Sequence, residues 1–347
     1  MAEDLMLREI HEQPGAIAAT VAAGREQIEA LAARLRREEI QQVLVAARGT
    51  SDNAATYARY LLGLTQGLVV ASAAPSLTTV YHAPLRLQRT LVLGISQSGR
   101  ATDVLEVLEA ARRLGAITAA LTNTAESPLC QVAEYTLLTH ARDERSVPAT
   151  KTYTTALAVV HQLAAAWAGR AEMAEQIYRV PESIPAVFAL EPQIQDRSER
   201  YRYMEHCAVI SRGLNYCTAQ ETALKLQECC YVVPEALSSA DLLHGPIASL
   251  APGFPCFLFA PSGKALPCLQ QLSEALAARQ AEQIVISDVP EMVARGRVGF
   301  QLPGPLPEEL SPLVAVVVGQ LLAFYLAKHK GLNPDEPRGL RKVTLTR

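Results

Sequence analysis

The feature that most constrains the fold of this chain is the alternation of short aliphatic runs with segments of helical periodicity. In the first half, QVLVAARG, TLVLGIS, AITAALTN and YTLLTH are followed by helical segments that start near Ser51, Ala101, Leu129 and Thr150. Short apolar runs are typical of strands buried on both faces, and their alternation with helices is typical of a parallel sheet covered by helices. The first half therefore predicts a doubly wound α/β domain.

The pattern restarts in the second half with CAVISRG, FPCFLFAPSG, QIVISDV and VGFQLPG. Arg48-Gly49 and Ser98-Gly99 recur 164 positions later as Arg212-Gly213 and Ser262-Gly263, each pair at the end of a candidate strand. A fixed offset in the same strand–turn–helix context indicates an internal duplication. The chain is therefore predicted to hold two doubly wound parallel-sheet domains in tandem.

A mainly helical and charged stretch from Trp167 to about Glu205 is interpreted as the connection between the two halves. We place the first domain, with an N-terminal helical segment, at residues 1–185, and the second domain, with a C-terminal tail, at residues 186–347.

Composition narrows the possible partners and the compartment. The net charge is −3 without a basic block, which argues against nucleic acid as a partner. The longest apolar run, LVAVVVGQLLAFYLA, is shorter than a membrane span, and the acidic N-terminus lacks a signal-peptide core. Seven scattered cysteines include no C-x-x-C pair. We expect a soluble cytoplasmic protein without a membrane partner, a cofactor or a metal.

Two polar turns of the first half are candidates for anion binding. Gly49-Thr50-Ser51 follows one strand, and Ser96-Gln97-Ser98-Gly99 follows another. Each turn taken alone is explained by ordinary helix N-capping, but two of them at one sheet edge would gather hydroxyls and free N–H groups at positive helix ends. The chain has no P-loop lysine motif and no G-x-G-x-x-G. A single phosphate, as in a sugar phosphate, is therefore the expected ligand.

Arg100 follows the second turn directly. A cation at a helix N-terminus opposes the helix dipole, and a bound dianion would turn this repulsion into attraction. The alternative is that Arg100 points into water.

The second half supplies candidates for proton transfer. Glu221, Lys225 and Glu228 share one face of a predicted helix, where the alternative is a solvated stripe of ion pairs. His244 lies in LLHGPIASL, and Lys342 lies in the terminal segment PDEPRGLRKVTLTR. A lone histidine and a tail lysine are more often structural or frayed than catalytic.

Taken together, these segments resemble the sugar isomerase (SIS) domain family, whose domain is flavodoxin-like, and more closely the isomerase half of glutamine–fructose-6-phosphate aminotransferases. The resemblance rests on MLREIHEQP, RGTS, SQSG, VPATKTYTT, ALKLQE, HGP and EPRGLRKVT, which occur in the family's order from about Met6 to the last residue. Any one of these segments alone is weak evidence for the family, whereas the whole set in this order is specific for it.

The resemblance implies a role for each matching position. Ser51, Ser96, Gln97 and Ser98, with Thr50 beside them, would hold the sugar phosphate. Three residues of the second half would act in the chemistry, and a fourth would assist them. In the family, the histidine acts in the site of a neighbouring subunit, and this implies a homodimer. Glu228 would move a proton between C1 and C2, Lys225 would assist, His244 would open the sugar ring, and Lys342 would form a Schiff base with the open ketose.

Three departures from the synthase pattern bear on the reaction. The chain begins where the isomerase half begins, so the resemblance implies no glutaminase. Arg100-Ala101 replaces the Glu-Thr that follows SQSG, which removes one hydroxyl and makes Arg100 the candidate replacement. Ala149 replaces a serine.

These departures look more like the stand-alone relatives that deaminate glucosamine 6-phosphate to fructose 6-phosphate and ammonia, and we predict this reaction. The alternatives are isomerisation of another phosphosugar, deglycation of a fructosamine 6-phosphate, and a non-catalytic sugar-phosphate sensor.

Overall fold

The computed structural model describes residues 4–342, and its contacts divide the chain into two compact units. The first-sheet unit comprises Gly15–Glu144, Lys151–Tyr178 and residues 341 and 342. The second-sheet unit comprises residues 4–14, Arg145–Thr150 and Arg179–Leu340.

Ten strands in the described residues form the two sheets, and each sheet lies in one unit. The strands are β1 Gln42–Ala46, β2 Val69–Ser72, β3 Thr90–Ile95, β4 Ile117–Thr122, β5 Tyr135–Leu138, β6 His206–Ser211, β7 Val233–Ser238, β8 Pro255–Phe259, β9 Glu282–Ser287 and β10 Val298–Gln301. The α-helices are α1 Leu5–His11, α2 Gln13–Ala23, α3 Arg25–Arg37, α4 Thr50–Gln66, α5 Ser76–Thr79, α6 Thr102–Arg113, α7 Pro128–Val132, α8 Lys151–Ala168, α9 Ala171–Gln176, α10 Arg179–Phe188, α11 Glu191–Ser198, α12 Tyr216–Cys230, α13 Ser239–Leu243, α14 Leu266–Ala278, α15 Pro290–Val293 and α16 Ser311–His329.

Both sheets are parallel throughout and have the same topology. The strand order is β2-β1-β3-β4-β5 in the first sheet and β10-β9-β8-β6-β7 in the second, which is the flavodoxin-like order 2-1-3-4-5 counted within each unit. The predicted fold class, two doubly wound parallel-sheet domains in tandem, is confirmed.

The strand register repeats with the offset found in the sequence. Ala46 pairs with Gly94 across β1 and β3, and Ile210 pairs with Leu258 across β6 and β8, each position 164 residues after its counterpart. The duplication therefore extends from dipeptides to the hydrogen-bonding register of the sheets.

Each unit buries its apolar residues between its sheet and its own helices. Helix α6 shows how the sequence achieves this, because Val104, Val107, Leu108 and Ala111 recur at helical spacing and are all buried. Leu108 packs in one cluster with Val92 of β3. In the second-sheet unit the corresponding cluster includes residues of β6, β8, β9 and α14. These helices fix the ends of the strands from which the functional turns leave.

Helix α16 contains the run that we expected to be too short for a membrane span. The helical segment Glu308–His329 has the length and hydropathy of a span, and 94% of its apolar 18-residue stretch is buried inside the molecule. This burial is typical of a core helix.

Two strands escaped prediction. Strand β2 is mostly exposed, and β7 alternates between exposed and partly buried residues. Both are edge strands: β2 lies beside β1 at the edge of the first sheet, and β7 lies beside β6 at the edge of the second sheet. Edge strands lack the continuous apolar run by which the buried strands were recognised.

Candidate functional site

The two polar turns of the first-sheet unit lie side by side at the carboxyl edge of the sheet. Strands β1 and β3 are hydrogen-bonded neighbours, and the pairing of Ala46 with Gly94 brings the segments that follow them to the same edge. Strand β2 lies on one side of this pair and β4 on the other, so β1 and β3 flank the topological switch point of the sheet. Ligands of open α/β sheets bind at this point.

The turn after β3, Ser96-Gln97-Ser98-Gly99, is called the serine turn, and it is anchored through its carbonyl groups. The Gln97 carbonyl accepts hydrogen bonds from Asn123 N at 3.0 Å and from Thr122 Oγ1 at 3.1 Å, and the Gly99 carbonyl accepts one from Leu129 N at 3.1 Å. With these carbonyl groups bonded on the protein side, the turn can present donors at its other face.

Gly99 is required by this anchoring. Its φ is +60°, and a Cβ atom there would lie 2.1 Å from Ser127 Oγ. Only glycine lets the turn pack this closely, so the donors ahead of it are held in a fixed position.

The donors of these turns have spare capacity. In the described part of the chain, the side chains of Ser51, Ser96 and Gln97 have no hydrogen-bond partner, and Ser96 is only 7% exposed. The Ser98 hydroxyl accepts a hydrogen bond from Arg100 N at 3.3 Å. Thr50 is the first residue of α4. Five of the six predicted phosphate ligands thus lie on two adjacent turns that can donate to an anion.

The sixth, Arg100, is exposed, and among residues 4–342 its guanidinium has no partner that fixes it. A different arginine is fixed at this edge. Arg48 Nε lies 2.6 Å from Asp103 Oδ2 at the start of α6. Arg48 and Asp103 were not among the predicted site residues.

Lys342 is held by a buried carboxylate of the first-sheet unit. Its Nζ lies 2.8 Å from Glu144 Oε2, and the Glu144 side chain is fully buried. Thr152 holds the same carboxylate, with its backbone N at 3.0 Å from Oε1 and its Oγ1 at 2.6 Å from Oε2. The predicted Schiff-base lysine is therefore an ordered residue in a defined ion pair.

In the second-sheet unit, Glu221, Lys225 and Glu228 do share one face of α12, but this face is not a solvated stripe. The side chains of Lys225 and Glu221 are fully buried, whereas the Glu228 side chain is 24% exposed. Lys225 Nζ lies 2.5 Å from Glu228 Oε2 and 3.5 Å from Glu221 Oε1. In this α12 triad of Glu221, Lys225 and Glu228, the Glu228 carboxylate is accessible, and the buried Lys225 ammonium group holds it in place.

Opposing effects act on the charge of Lys225. Burial alone lowers the pKa of a lysine, but the carboxylates of Glu221 and Glu228 act in the other direction and hold the pKa of Lys225 above its ordinary value. Lys225 therefore stays charged at neutral pH, where it orients and attracts the Glu228 carboxylate rather than accepting a proton. Perturbed titratable groups of this kind are concentrated at functional sites.

His244 caps the C-terminus of α13 and is exposed. Its backbone N donates to Ala240 and Asp241, and its ring has no partner in the described part of the chain. The structure does not link His244 to Glu228 by a hydrogen bond or an ion pair.

In the second-sheet unit, the turn that corresponds to the serine turn is Ser262-Gly263-Lys264. We call it the closed turn, because its donors are bonded to carboxylates of the protein, and we call the serine turn the open turn. Ser262 donates to Asp288 through its backbone N at 2.6 Å and its Oγ at 2.5 Å, and Lys264 N donates to Glu308 Oε2 at 2.8 Å. The neighbouring Gly263 lies against Glu308, whose Cδ would be 2.4 Å from an added Cβ. Carboxylates of the protein occupy the donors that an anion would use.

Sequence reasoning missed several residues that shape the site. Glu144, Thr152, Arg48 and Asp103 come from different segments, and their pairing follows from the fold. The one available signal was the position of Arg48 directly before the Gly-Thr-Ser turn. Among residues 4–342, no group of three or more His, Cys, Asp or Glu is placed to hold a metal ion.

Comparison with known proteins agrees with this geometry. The SIS domain model matches residues 37–166 and again residues 202–329. A glutamine–fructose-6-phosphate aminotransferase (isomerizing) of Thermococcus kodakarensis is 35% identical over 97% of this chain. The chain spans 57% of the length of that relative.

Solved structures give the same result. A proposed phosphosugar isomerase of Silicibacter pomeroyi DSS-3 is 34% identical, with a TM-score of 0.88 over 96% of this chain and 100% of that one. The C-terminal domain of a glucosamine–fructose-6-phosphate aminotransferase of Francisella tularensis is 26% identical, with a TM-score of 0.87 over 96% of this chain and 98% of that one. The chain thus belongs to the SIS domain family and carries two copies of the domain in tandem.

Proposed function

We propose that the chain is a phosphosugar enzyme of the SIS type that converts glucosamine 6-phosphate to fructose 6-phosphate and ammonia. The relatives are phosphosugar enzymes by name, and the serine turn and the α12 triad match the residues that such a reaction needs. The preference for deamination comes from Arg100-Ala101 and Ala149, where the chain departs from the aminotransferase pattern.

The observation that carries the proposal is the Lys225–Glu228 pair. A proton shuttle needs a carboxylate that is ionised, oriented and reachable by substrate. Glu228 is 24% exposed and lies 2.5 Å from a fully buried ammonium group, whereas Glu221 is buried and out of reach. Glu228 is therefore the carboxylate of the triad that can contact a substrate.

In the proposed reaction, His244 opens the pyranose ring and gives the free aldehyde at C1. Glu228 takes the proton from C2 while O1 gains a proton from water, which gives an enaminol. Glu228 then returns its proton to C1 while the amino nitrogen loses one to water, which leaves an imine at C2. Water hydrolyses this imine to the C2 ketone and releases ammonia. Lys225 keeps the Glu228 carboxylate in place during both transfers.

Lys342 offers a second route to the same products. Its neutral amine can attack C2 of the imine and displace ammonia, which leaves a Schiff base that water then hydrolyses. Glu144 holds the Lys342 ammonium group at 2.8 Å and is within reach to accept the proton that the amine must lose.

The phosphate is assigned to the switch point of the first sheet. Thr50, Ser51, Ser96, Gln97 and Ser98 lie on two adjacent turns, and the side chains of Ser51, Ser96 and Gln97 make no hydrogen bond within residues 4–342. The matching turn of the second-sheet unit has its donors occupied, so one sugar phosphate per chain is expected.

We also propose a homodimer in which His244 serves the neighbouring subunit. His244 is exposed and its ring is unpartnered among the described residues, as a residue that acts on another chain would be. Large apolar side chains are exposed on α4, on β2 and directly after α5, namely Leu64, Val69, Val80 and Tyr81. Light scattering should give twice the mass of the chain, and a monomer would refute the shared role of His244.

The test is a coupled assay of the purified protein with glucosamine 6-phosphate alone. Equal amounts of ammonia and fructose 6-phosphate support the proposal. Interconversion of phosphosugars without ammonia would make the chain an isomerase, and release of an amine from a fructosamine 6-phosphate would make it a deglycase. Binding of fructose 6-phosphate without turnover of any of these compounds would make it a sensor.

A further inference from the structure

We infer that Arg48, positioned by Asp103, is a phosphate-binding residue of the first-sheet unit. The inference rests on the proposed function, because it concerns the same phosphate. It assigns the cationic contact to a residue fixed by the fold in place of Arg100.

The position of Arg48 follows from the sheet. Arg48 comes two residues after the end of β1, directly before the Gly-Thr-Ser turn, and β1 lies beside β3. Its Nε reaches across to Asp103 Oδ2, 2.6 Å away, in the first turn of α6. The arginine therefore spans the gap between the two turns that carry the predicted phosphate ligands.

Asp103 is built to hold this arginine. Its side chain is 3% exposed, and its other oxygen, Oδ1, accepts a hydrogen bond from Val104 N at 2.9 Å. A nearly buried carboxylate with both oxygens engaged has a single orientation, and it fixes the guanidinium through Nε alone.

The rest of the guanidinium is available. The Arg48 side chain is 54% exposed, and among residues 4–342 its two terminal nitrogens have no hydrogen-bond partner. A planar guanidinium fixed at one nitrogen and open at the other two presents N–H donors in the geometry that phosphate oxygens accept.

Two carboxylates near the turns favour a cation at this position. Asp52, in the first turn of α4, and Asp103 both lie near the edge where the dianion would bind. Burial raises the pKa of Asp52, while Arg59 and Arg48 act against this effect. Without Arg48, two carboxylates would face an incoming phosphate with less positive charge beside them.

The duplication supplies an internal control. Arg212 occupies the position of Arg48 in the second-sheet unit, 164 residues later, and Pro267 occupies the position of Asp103. No ion pair fixes Arg212 among the described residues. The Arg–Asp pair therefore occurs beside the open turn and is missing beside the closed one.

The experiment measures the dissociation constants of inorganic phosphate and of fructose 6-phosphate by calorimetry. Arg48→Gln should weaken both by about 10- to 100-fold, because charge-assisted hydrogen bonds to the anion are lost. Arg48→Lys keeps the positive charge but lacks the planar guanidinium with its paired N–H donors, and it should weaken the binding of both ligands by about threefold to tenfold. Asp103→Asn should have a smaller effect in the same direction.

Arg89→Gln is the matched control. Arg89 also belongs to the first-sheet unit, is 52% exposed on its side chain and pairs with Glu39, but it lies at the amino end of β3. Its substitution should leave both dissociation constants unchanged, and the melting temperature of every variant shows whether it is folded.

Three outcomes would overturn the inference: wild-type affinity in folded Arg48→Gln, equal losses in Arg48→Gln and Arg89→Gln, or, if Arg48→Gln does not fold, wild-type affinity in Arg48→Lys. Failure of the wild-type protein to bind either probe would instead refute the proposed phosphosugar function.

Discussion

The turn after β3 and the turn after β8 occupy the same place in two copies of one fold, but their hydrogen-bond donors are used differently. Both follow the third strand of a 2-1-3-4-5 sheet and both end in Ser-Gly. In the first, the side chains of Ser96 and Gln97 make no hydrogen bond within residues 4–342, and in the second, Ser262 donates to Asp288 and Lys264 N donates to Glu308. The neighbouring side chains decide whether the donors of this turn are bonded within the protein, and under the proposed function only the first turn would bind the phosphate.

One residue position shows how the difference arises. Asn123 is the first residue after β4, and Asp288 is the first residue after β9. The Asn123 amide accepts from Thr139 Oγ1 and donates to Arg142, so it turns to its own loop, whereas the Asp288 carboxylate turns to Ser262. At this position of the second-sheet unit, the Asp288 carboxylate accepts the hydrogen bonds that a bound anion would otherwise accept.

The second-sheet unit differs in a second way, because it contains the Lys225–Glu228 ion pair. Its helix α12 carries a fully buried Lys225 that holds the accessible Glu228. Under the proposed function, the serine turn would bind the phosphate and Glu228 would move the proton. The predictions below test this division.

The largest effect is expected for Glu228→Gln. An amide cannot accept the C2 proton, so turnover should fall by about 100- to 10,000-fold, while the affinity for inorganic phosphate stays unchanged. Ammonia release and calorimetry measure the two quantities. Glu274→Gln is the control, because Glu274 is an exposed ion-paired glutamate of the same unit. Full turnover in Glu228→Gln would rule out the shuttle.

The next effect concerns acid stability and separates the two units. His161 of α8 is fully buried, and neither ring nitrogen has a hydrogen-bond partner within residues 4–342. Burial lowers the pKa of His161 to about 4. Because protonation favours the unfolded chain, stability is present above pH 6.5 and is lost as the pH falls towards 4, by roughly 3 kcal/mol.

Hydrogen exchange at decreasing pH should therefore show the first-sheet unit opening before the second-sheet unit, where Tyr325 stands 164 residues after His161. His161→Leu should remove this step. If the acid profile of this variant matched that of the wild type, His161 would not be its origin.

A smaller effect is expected from the matched pair Ser98→Ala and Ser262→Ala. Ser98 should donate to the phosphate, so its loss should weaken binding of inorganic phosphate about tenfold. Ser262 donates to Asp288 instead, so its loss should leave the phosphate affinity unchanged. Equal effects of the two substitutions would contradict the comparison of the turns.

The smallest effect is expected for Glu144→Gln. Without the buried carboxylate, Lys342 loses its partner at 2.8 Å, and borohydride trapping of fructose 6-phosphate on Lys342 should fall roughly threefold to tenfold. Glu144→Asp, which keeps the charge, should recover part of the yield. A trapping yield that does not change in Glu144→Gln would show that Glu144 does not position the lysine.

The fold could be predicted because its information is local. Buried strands such as TLVLGIS and helices such as α6 carry continuous or periodic apolar patterns, and the Arg-Gly and Ser-Gly repeats give the duplication directly. The exposed strands β2 and β7 carry no such pattern. Five of the six expected phosphate ligands could be placed on adjacent turns for the same reason, since the turns follow recognisable strands.

What could not be predicted depends on contacts between distant segments. Asp335 accepts hydrogen bonds from Leu5 N at 2.9 Å and Met6 N at 2.7 Å, which ties the described N-terminal residues to the second-sheet unit. Such pairs leave no local mark in the sequence. The burial of Lys225 likewise follows from tertiary packing, because the charge pattern of α12 alone is equally that of a solvated helix.

The most direct test of the central claim is the stoichiometry of fructose 6-phosphate binding, measured by calorimetric titration. The account predicts one molecule per chain, lost in the Ser96→Ala, Ser98→Ala double variant and kept in Ser262→Ala. Two molecules per chain in the wild type, or a site that survives the double substitution, would show that the phosphate is not held by the serine turn of the first-sheet unit.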